Sequence, residues 1–208
     1  MQRLQNPGIV RTVSLRLLRG GGGGGGTTIM DSLRAPSCDV FINHRGIDTK
    51  KTFAGLLFQY LSSQGVSCFL DSKNMKPGDR LFENIDGGIR GCKVGVAILS
   101  PRYCESAYCL HELALMMEMN KRVVPVFYDV KPSQLRAMVT RRAYSREDLR
   151  RYNTAIDKVR NIVGLTFDSS QQDWSELLRE ASIAVMKKLV EVEDEAQALK
   201  ASYIRSPL

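Results

Sequence analysis

Three groups of residues in this sequence have types and spacings suited to chemistry. Glu105, Tyr108 and Glu112 stand at i, i+3 and i+7, which on a helix puts two carboxylates and an aromatic ring on one face. Further upstream, His44-Arg45-Gly46-Ile47-Asp48-Thr49 joins an apolar run to an amphipathic one. There Arg45 offers a bidentate donor to an anion, and Gly46 permits close approach of the backbone. The plainer reading is a connection in which Asp48 or Thr49 caps the following helix. The third group is the loop Asp71 to Arg80, with three cations and a Pro77-Gly78 turn. It suits a partner contact, a lid over an anionic ligand, or simply solvent.

A carboxylate beside an aromatic ring fits a planar, cationic nicotinamide–ribose centre. The ring can stack on the base, and the carboxylate can hold the ribose hydroxyls or stabilise an oxocarbenium-like transition state. Most glycosidases need a second carboxylate to protonate a poor leaving group. Nicotinamide departs neutral from a cationic nitrogen, so one glutamate suffices. The competing reading of Glu112 is a carboxylate placed early in a helix because the macrodipole favours it there.

The elements that must position these groups alternate. Asp39 to Asn43 and Val66 to Leu70 read as short apolar strands. Between them Phe53, Leu56, Leu57, Tyr60 and Leu61 trace an amphipathic helix closed by Gly65. Leu81, Phe82, Ile85 and Ile89 mark a weaker helix, expected to be mobile because it carries Gly87 and Gly88. Val94 to Leu99 has almost no polar alternation, as in a parallel strand covered on both faces. A helix over Ser106 to Met119 follows, with Leu110, Leu113, Ala114 and Met117 turned to the core, then a strand over Arg122 to Tyr128. Ser145 to Val159 is read as helix, Val163 to Phe167 as a fifth strand, and Trp174 to Leu189 as a last helix. Strand–helix alternation predicts right-handed crossovers and a parallel sheet with helices on both faces. Ligands then bind outside the carboxyl ends of the strands, where the loops after Asn43, Leu70 and Ser100 converge.

Composition narrows the classes. The 208 residues are 43% hydrophobic and 25% charged, and no apolar run approaches the roughly 20 residues of a membrane span, so a soluble single domain is expected. Five cysteines without a Cys-x-x-Cys pair, and two histidines, argue against zinc and for a reducing compartment. The net charge of +8 is concentrated in two places. One is the acid-free N-terminal stretch, which runs into seven consecutive glycines, Gly20 to Gly26; residues 1–35 are therefore read as disordered, with organelle targeting by residues 1–30 left open. The other is a basic zone from Lys131 to Arg160, either a solvated surface or a polyanion footprint. No aspartate ends the third strand at Leu99-Ser100, which excludes a response regulator.

Taken in order, three segments resemble the plant-type Toll/interleukin-1 receptor (TIR) domain. Asp39-Val-Phe-Ile-Asn-His-Arg-Gly-Ile-Asp-Thr49 is similar to its first box, an aromatic-Arg-Gly-Glu-Asp-Thr. Ser100-Pro-Arg-Tyr-Cys-Glu-Ser-Ala-Tyr-Cys-Leu-His-Glu-Leu113 resembles its Ser-x-x-Tyr-x-x-Ser-x-Trp-Cys-Leu-x-Glu-Leu segment. Val124-Pro-Val-Phe-Tyr-Asp-Val-Lys-Pro-Ser-Gln-Leu-Arg136 resembles its Pro-Val-Phe-Tyr-x-Val-Asp-Pro-Ser-x-Val-Arg box. The resemblance covers about Cys38 to Leu189. It implies a flavodoxin-like α/β fold, a five-stranded parallel sheet with helices on both faces. The TIR domain would occupy residues 36–190, with 191–208 as a tail.

The resemblance further implies hydrolysis of NAD, as substrate and with no separate cofactor, to nicotinamide and ADP-ribose or cyclic variants in immune and cell-death signalling. It places catalysis on Glu112 and substrate contacts on His44, Arg45, Gly46, Asp48, Tyr108 and Cys109, with Lys76 and Gly78 in a closing loop. It implies self-association and pairing with other TIR proteins in the cytoplasm, with no membrane partner. The alternative is a non-catalytic TIR adaptor, and a nucleic-acid partner has only the basic zone in its favour. The chain departs from the family pattern at His44, at Ile47, at Tyr108 in place of tryptophan, and at Gly55-Leu56 in place of an interface Ser-His pair. The stretch Thr140 to Asn161 matches it poorly.

Overall fold

The computed structural model describes residues 38–70, 74, 81–135 and 145–204. The N-terminal segment 1–35, the closing-loop residues Lys76 and Gly78, and Arg136, Arg141 and Arg142 of the basic zone lie outside the described residues.

Five parallel strands form the sheet, in the order β2-β1-β3-β4-β5: β1 Val40–His44, β2 Cys68–Phe69, β3 Val94–Leu99, β4 Arg122–Tyr128 and β5 Leu165–Phe167. This is the flavodoxin-like order, with its reversal of direction between β1 and β3. The central strand β3 is buried along its whole length, as its unbroken apolar run requires. β2 is shorter than its apolar run because only Cys68 and Phe69 find ladder partners at the sheet's edge.

The helices are α1 Gly46–Thr49, α2 Phe53–Ser63, α3 Leu81–Gly91, α4 Ala107–Glu118, α5 Arg146–Arg160 and α6 Trp174–Ile204. Alternate strand residues feed two cores. Phe41, Phe69, Leu99, Val123 and Phe127 pack with α3, α4 and α5. Val40, Ile42, Val96, Ile98, Val126 and Tyr128 pack with α2 and α6.

Local signals explain the helix ends. Ser106 caps α4 by accepting from the Cys109 amide, and Ser145 caps α5 by accepting from Asp148. At the end of α2, Val66 N–H donates to Leu61 and Gly65 N–H to Ser62, with Gly65 at φ 81°. This double bond pattern with a left-handed glycine stops the helix and turns the chain into β2. On α2 the buried stripe is narrower than the apolar pattern: Phe53, Ala54, Leu57 and Leu61 are inside, whereas Leu56 and Tyr60 are exposed. α6 runs to Ile204, past the last periodic apolar residue, and is tied across the amino ends of the strands by Lys93–Glu193 and Arg122–Glu195.

Gly88, read from sequence only as a weak point in α3, has a packing reason. A Cβ there would stand 3.1–3.3 Å from the Phe69 ring, so glycine lets α3 lie directly on β2. All five cysteines are free and buried. Burial pushes the thiols of Cys38 and Cys68 up to about 12 and that of Cys92 to about 11, so they stay neutral and act as small hydrophobes. Two cations of the described part of the basic zone are paired with acids. Arg151 forms a two-pronged pair with Glu118 at 2.6 and 3.0 Å and also reaches Asp148, while Arg160 reaches Asp157. No helix among the described residues is long and apolar enough to cross a membrane.

Candidate active site

At the carboxyl edge of the sheet, where the strand order reverses between β1 and β3, lies a cleft of about 710 Å³. One wall is the segment from His44 to Thr52 and the other the start of α4, with Ile85 of α3 between them. A crevice at this switch point is what a doubly wound sheet makes for a ligand. His44, Arg45, Gly46, Asp48, Tyr108, Cys109 and Glu112, scattered over 69 positions, all line it.

Glu112 is 9% exposed, which for a carboxylate demands partners. Asn43 supplies one: its Nδ2 donates to Glu112 Oε2 at 2.7 Å. Tyr108, one turn earlier, is 49% exposed at the rim, and its ring stacks on Phe82 at 5.4 Å and 25°. Phe82 in turn meets the His111 ring edge-on, and His111 Nε2 lies 2.9 Å from Asp86. The aromatic platform expected of Tyr108 is therefore a two-ring unit shared by α3 and α4. Phe82, one of the apolar residues that mark α3 in the sequence, is 53% exposed and belongs to the rim.

Arg45, Lys50 and Lys51 make the facing wall cationic. Arg45 lines this wall, and its Nε is buried with no hydrogen-bond partner among the described residues. Ile47, where the family box has an acid, is 58% exposed and removes a negative charge from this wall.

Several expectations change. Glu105 sits in a 3₁₀ turn, Tyr103–Glu105, ahead of the cap Ser106; it lies off the α4 face and outside the cleft. Neither Asp48 nor Thr49 caps α2, whose cap position is Thr52; its hydroxyl makes no capping bond and donates to the Thr49 carbonyl instead. Thr49 Oγ1 donates to the Arg45 carbonyl. Cys109 turns its thiol to the His44 carbonyl at 3.3 Å, tying α4 to β1.

The Asp48 carboxylate is fully engaged. It accepts from the Ser100 hydroxyl at 2.6 Å, the Arg102 amide at 3.1 Å and the Arg102 guanidinium at 2.7 Å. It thus clamps the loop after β1 to the loop after β3. Burial pushes its pKa up, but the Ser100 hydroxyl and the Arg102 donors outweigh this and hold it below the ordinary 3.8. A carboxylate with a depressed folded-state pKa stabilises fully above its unfolded value, and that stability is lost as pH falls through the folded value. Because the Arg102 side chain is 53% exposed, most of the effect rests on the Ser100 and amide bonds. Asp48→Asn is expected to cost about 1–3 kcal/mol at neutral pH and progressively less in strong acid, measured by urea denaturation at both. An equal loss at both would mean the charge has no part in the clamp.

Sequence reasoning missed Asn43 and Tyr103, both fully buried beneath Glu112. The available signal was a polar amide ending an otherwise apolar strand. Among the described residues no group of three or more His, Cys, Asp or Glu is placed to hold a metal ion.

The comparisons with known proteins agree with this architecture. The chain is 47% identical over 158 residues to the probable 2' cyclic ADP-D-ribose synthase BdTIR of Brachypodium distachyon, covering 74% of this chain and 70% of that protein. It is 28% identical over 171 residues to TMV resistance protein N of Nicotiana glutinosa, covering 75% of this chain but only 15% of that much longer protein. Among solved structures, the TIR domains of the activated Roq1 resistosome, which directly recognises the effector XopQ, match with a TM-score of 0.64 and 32% identity, over 72% of this chain and 99% of that one. The family model described as TIR domain matches residues 40–163, and with the parallel 2-1-3-4-5 sheet and the switch-point cleft this establishes that the chain belongs to the TIR domain family.

Proposed function

We propose that this protein cleaves the bond between nicotinamide and ribose in NAD, with Glu112 as the reacting carboxylate, and that it acts in plant immune and cell-death signalling as a self-associated assembly. The observation that carries the reading is the placement of one buried carboxylate, beside a two-ring aromatic platform and opposite Arg45, Lys50 and Lys51, in a cleft at the switch point. The likeness to a protein named as a probable cyclic ADP-ribose synthase supports the reaction class, and the likeness to TIR domains of a resistosome supports self-association.

The chemistry balances without a second carboxylate. The C1'–N bond breaks, and its electron pair returns to the pyridinium nitrogen, so nicotinamide leaves neutral. Positive charge moves to the ribose C1' and its ring oxygen, where the Glu112 carboxylate stabilises it. Water then adds at C1' and loses a proton, which yields ADP-ribose; attack by a hydroxyl of the same molecule instead yields a cyclic product. Arg45 and the two lysines are suited to the diphosphate, and the Tyr108–Phe82 pair to a flat base.

The test is nicotinamide release from NAD by the purified full-length chain, at protein concentrations spanning its self-association, with the nucleotide product resolved by chromatography. Release that rises faster than protein concentration supports the reading. If the chain self-associates and NAD stays intact, the cleft serves a non-catalytic adaptor.

A further inference from the structure

We propose that Asn43 is a positioning residue for Glu112: from the end of β1 it fixes one oxygen of the carboxylate and keeps the group ionised. The inference rests on Glu112 being the reacting carboxylate and adds the device that holds it ready.

Asn43 is fully buried and shares the face of β1 that carries Phe41, the face against which α4 packs. Its amide nitrogen meets two acceptors, Glu112 Oε2 at 2.7 Å and the Cys109 carbonyl at 3.2 Å. Its amide oxygen meets the hydroxyl of Tyr103 in a close hydrogen bond. The amide's orientation follows from these neighbours: flipped, its oxygen would face a carboxylate and a carbonyl, and its nitrogen would compete with the hydroxyl. Tyr103, also fully buried, has its own ionisation pushed well up, first by burial and then by nearby Cys109 and Glu112, so it remains a protonated donor.

The Tyr103 hydroxyl, also 3.1 Å from the Cys109 carbonyl, heads a chain from Tyr103 to the Asn43 oxygen and from the Asn43 nitrogen to Glu112, running from the 3₁₀ turn by way of β1 to the reacting group. Each donor polarises the next bond. A donor to the charged form of a buried carboxylate opposes the desolvation that would otherwise protonate it. The other titratable and charged groups around the site are Tyr108 and Cys109 on α4 and His44, Arg45, Asp48, Lys50 and Lys51 on the facing wall. On α3, packed against α4, Asp86 is taken up by His111.

Asn43→Asp is nearly isosteric. It keeps an acceptor for Tyr103 and replaces the donor facing Glu112 with a second carboxyl, so the pair ionises later. In the full-length chain the acid limb of kcat for NAD cleavage is expected to move up by about one pH unit or more. On the acid limb itself, kcat should fall about tenfold for each pH unit the limb moves, with most of the loss recovered well above the limb and KM changed less than about twofold. Asn43→Ser, which keeps a short donor, should stay near the wild-type limb, and Asn43→Leu should shift as Asn43→Asp does.

Independently of activity, the Glu112 side-chain carboxyl, labelled with carbon-13 and assigned through Glu112→Gln, should titrate higher in Asn43→Asp than in wild type without NAD. If wild type cleaves NAD and neither the limb nor the titration moves, Asn43 is structural and the proposal falls. If wild type does not cleave NAD, it is the reading of Glu112 that has failed, and the titration alone still decides whether Asn43 holds the carboxylate ionised.

Discussion

Glu112→Gln in the full-length chain is expected to slow nicotinamide release by between about a hundredfold and a thousandfold, the usual cost of removing one preorganised electrostatic stabiliser from a transition state. The side chain keeps its shape, and its amide oxygen can still accept from Asn43, which now bonds the carboxylate at 2.7 Å. The melting temperature should therefore stay within a few degrees of wild type. What is lost is the full negative charge, in a wall where water is scarce and charge is worth more than in solution. The substrate's positive charge starts on the pyridinium ring and moves to the ribose, so kcat should fall more than KM rises. Activity within about threefold of wild type would place the chemistry on another residue.

The largest expected effect on the fold is at Phe53. It opens α2, is fully buried, and stacks on Tyr128 of β4 at 6.4 Å and 22°. Tyr128 also packs with Phe167 of β5 at 5.3 Å and Trp174 of α6 at 5.8 Å, and those two rings meet edge-on at 5.9 Å. Four rings from four elements thus close the face of the sheet opposite the cleft-forming helix α4. Phe53→Ala is expected to cost about 3–5 kcal/mol, since transfer free energy and cavity add. That is a large share of the roughly 5–15 kcal/mol of a typical domain, and it lowers the melting temperature by about 10 °C. Thermal unfolding followed by circular dichroism measures it. A loss under about 1 kcal/mol would mean that α2 is not anchored through this ring.

Much of this architecture was legible in the residues. Val94 to Leu99 announced a strand covered on both faces, and β3 is buried from end to end, because an uninterrupted apolar run has no other stable place. Gly65 marked the end of α2 because only a residue free to take a left-handed conformation closes that turn without strain. Where periodicity failed, long-range packing had intervened. Leu56 and Tyr60 continue the apolar stripe of α2 yet are exposed, and Phe82, from the apolar set that marks α3, is exposed and stacks on Tyr108.

The residue types and their order determined the alternation of strands and helices, the parallel sheet, the edge on which a ligand would sit, and the family, because apolar period, capping residues and ordered motifs are local properties of the chain. Only the tertiary structure decided which polar groups serve the cleft and which serve the frame. Asp48, a candidate contact by motif, lines the cleft and also ties it to Ser100 and Arg102, 52 and 54 positions away. Glu105 falls off the face of Glu112 because the helix starts after it. Asn43, marked in the sequence only as a polar end to an apolar strand, holds Glu112 from 69 positions away, and Tyr103 in the turn before the helix bonds Asn43. A hydrogen bond depends on distances of a few ångströms between side chains that the sequence separates by dozens of residues, so it exists only once β1, β3 and α4 are packed together.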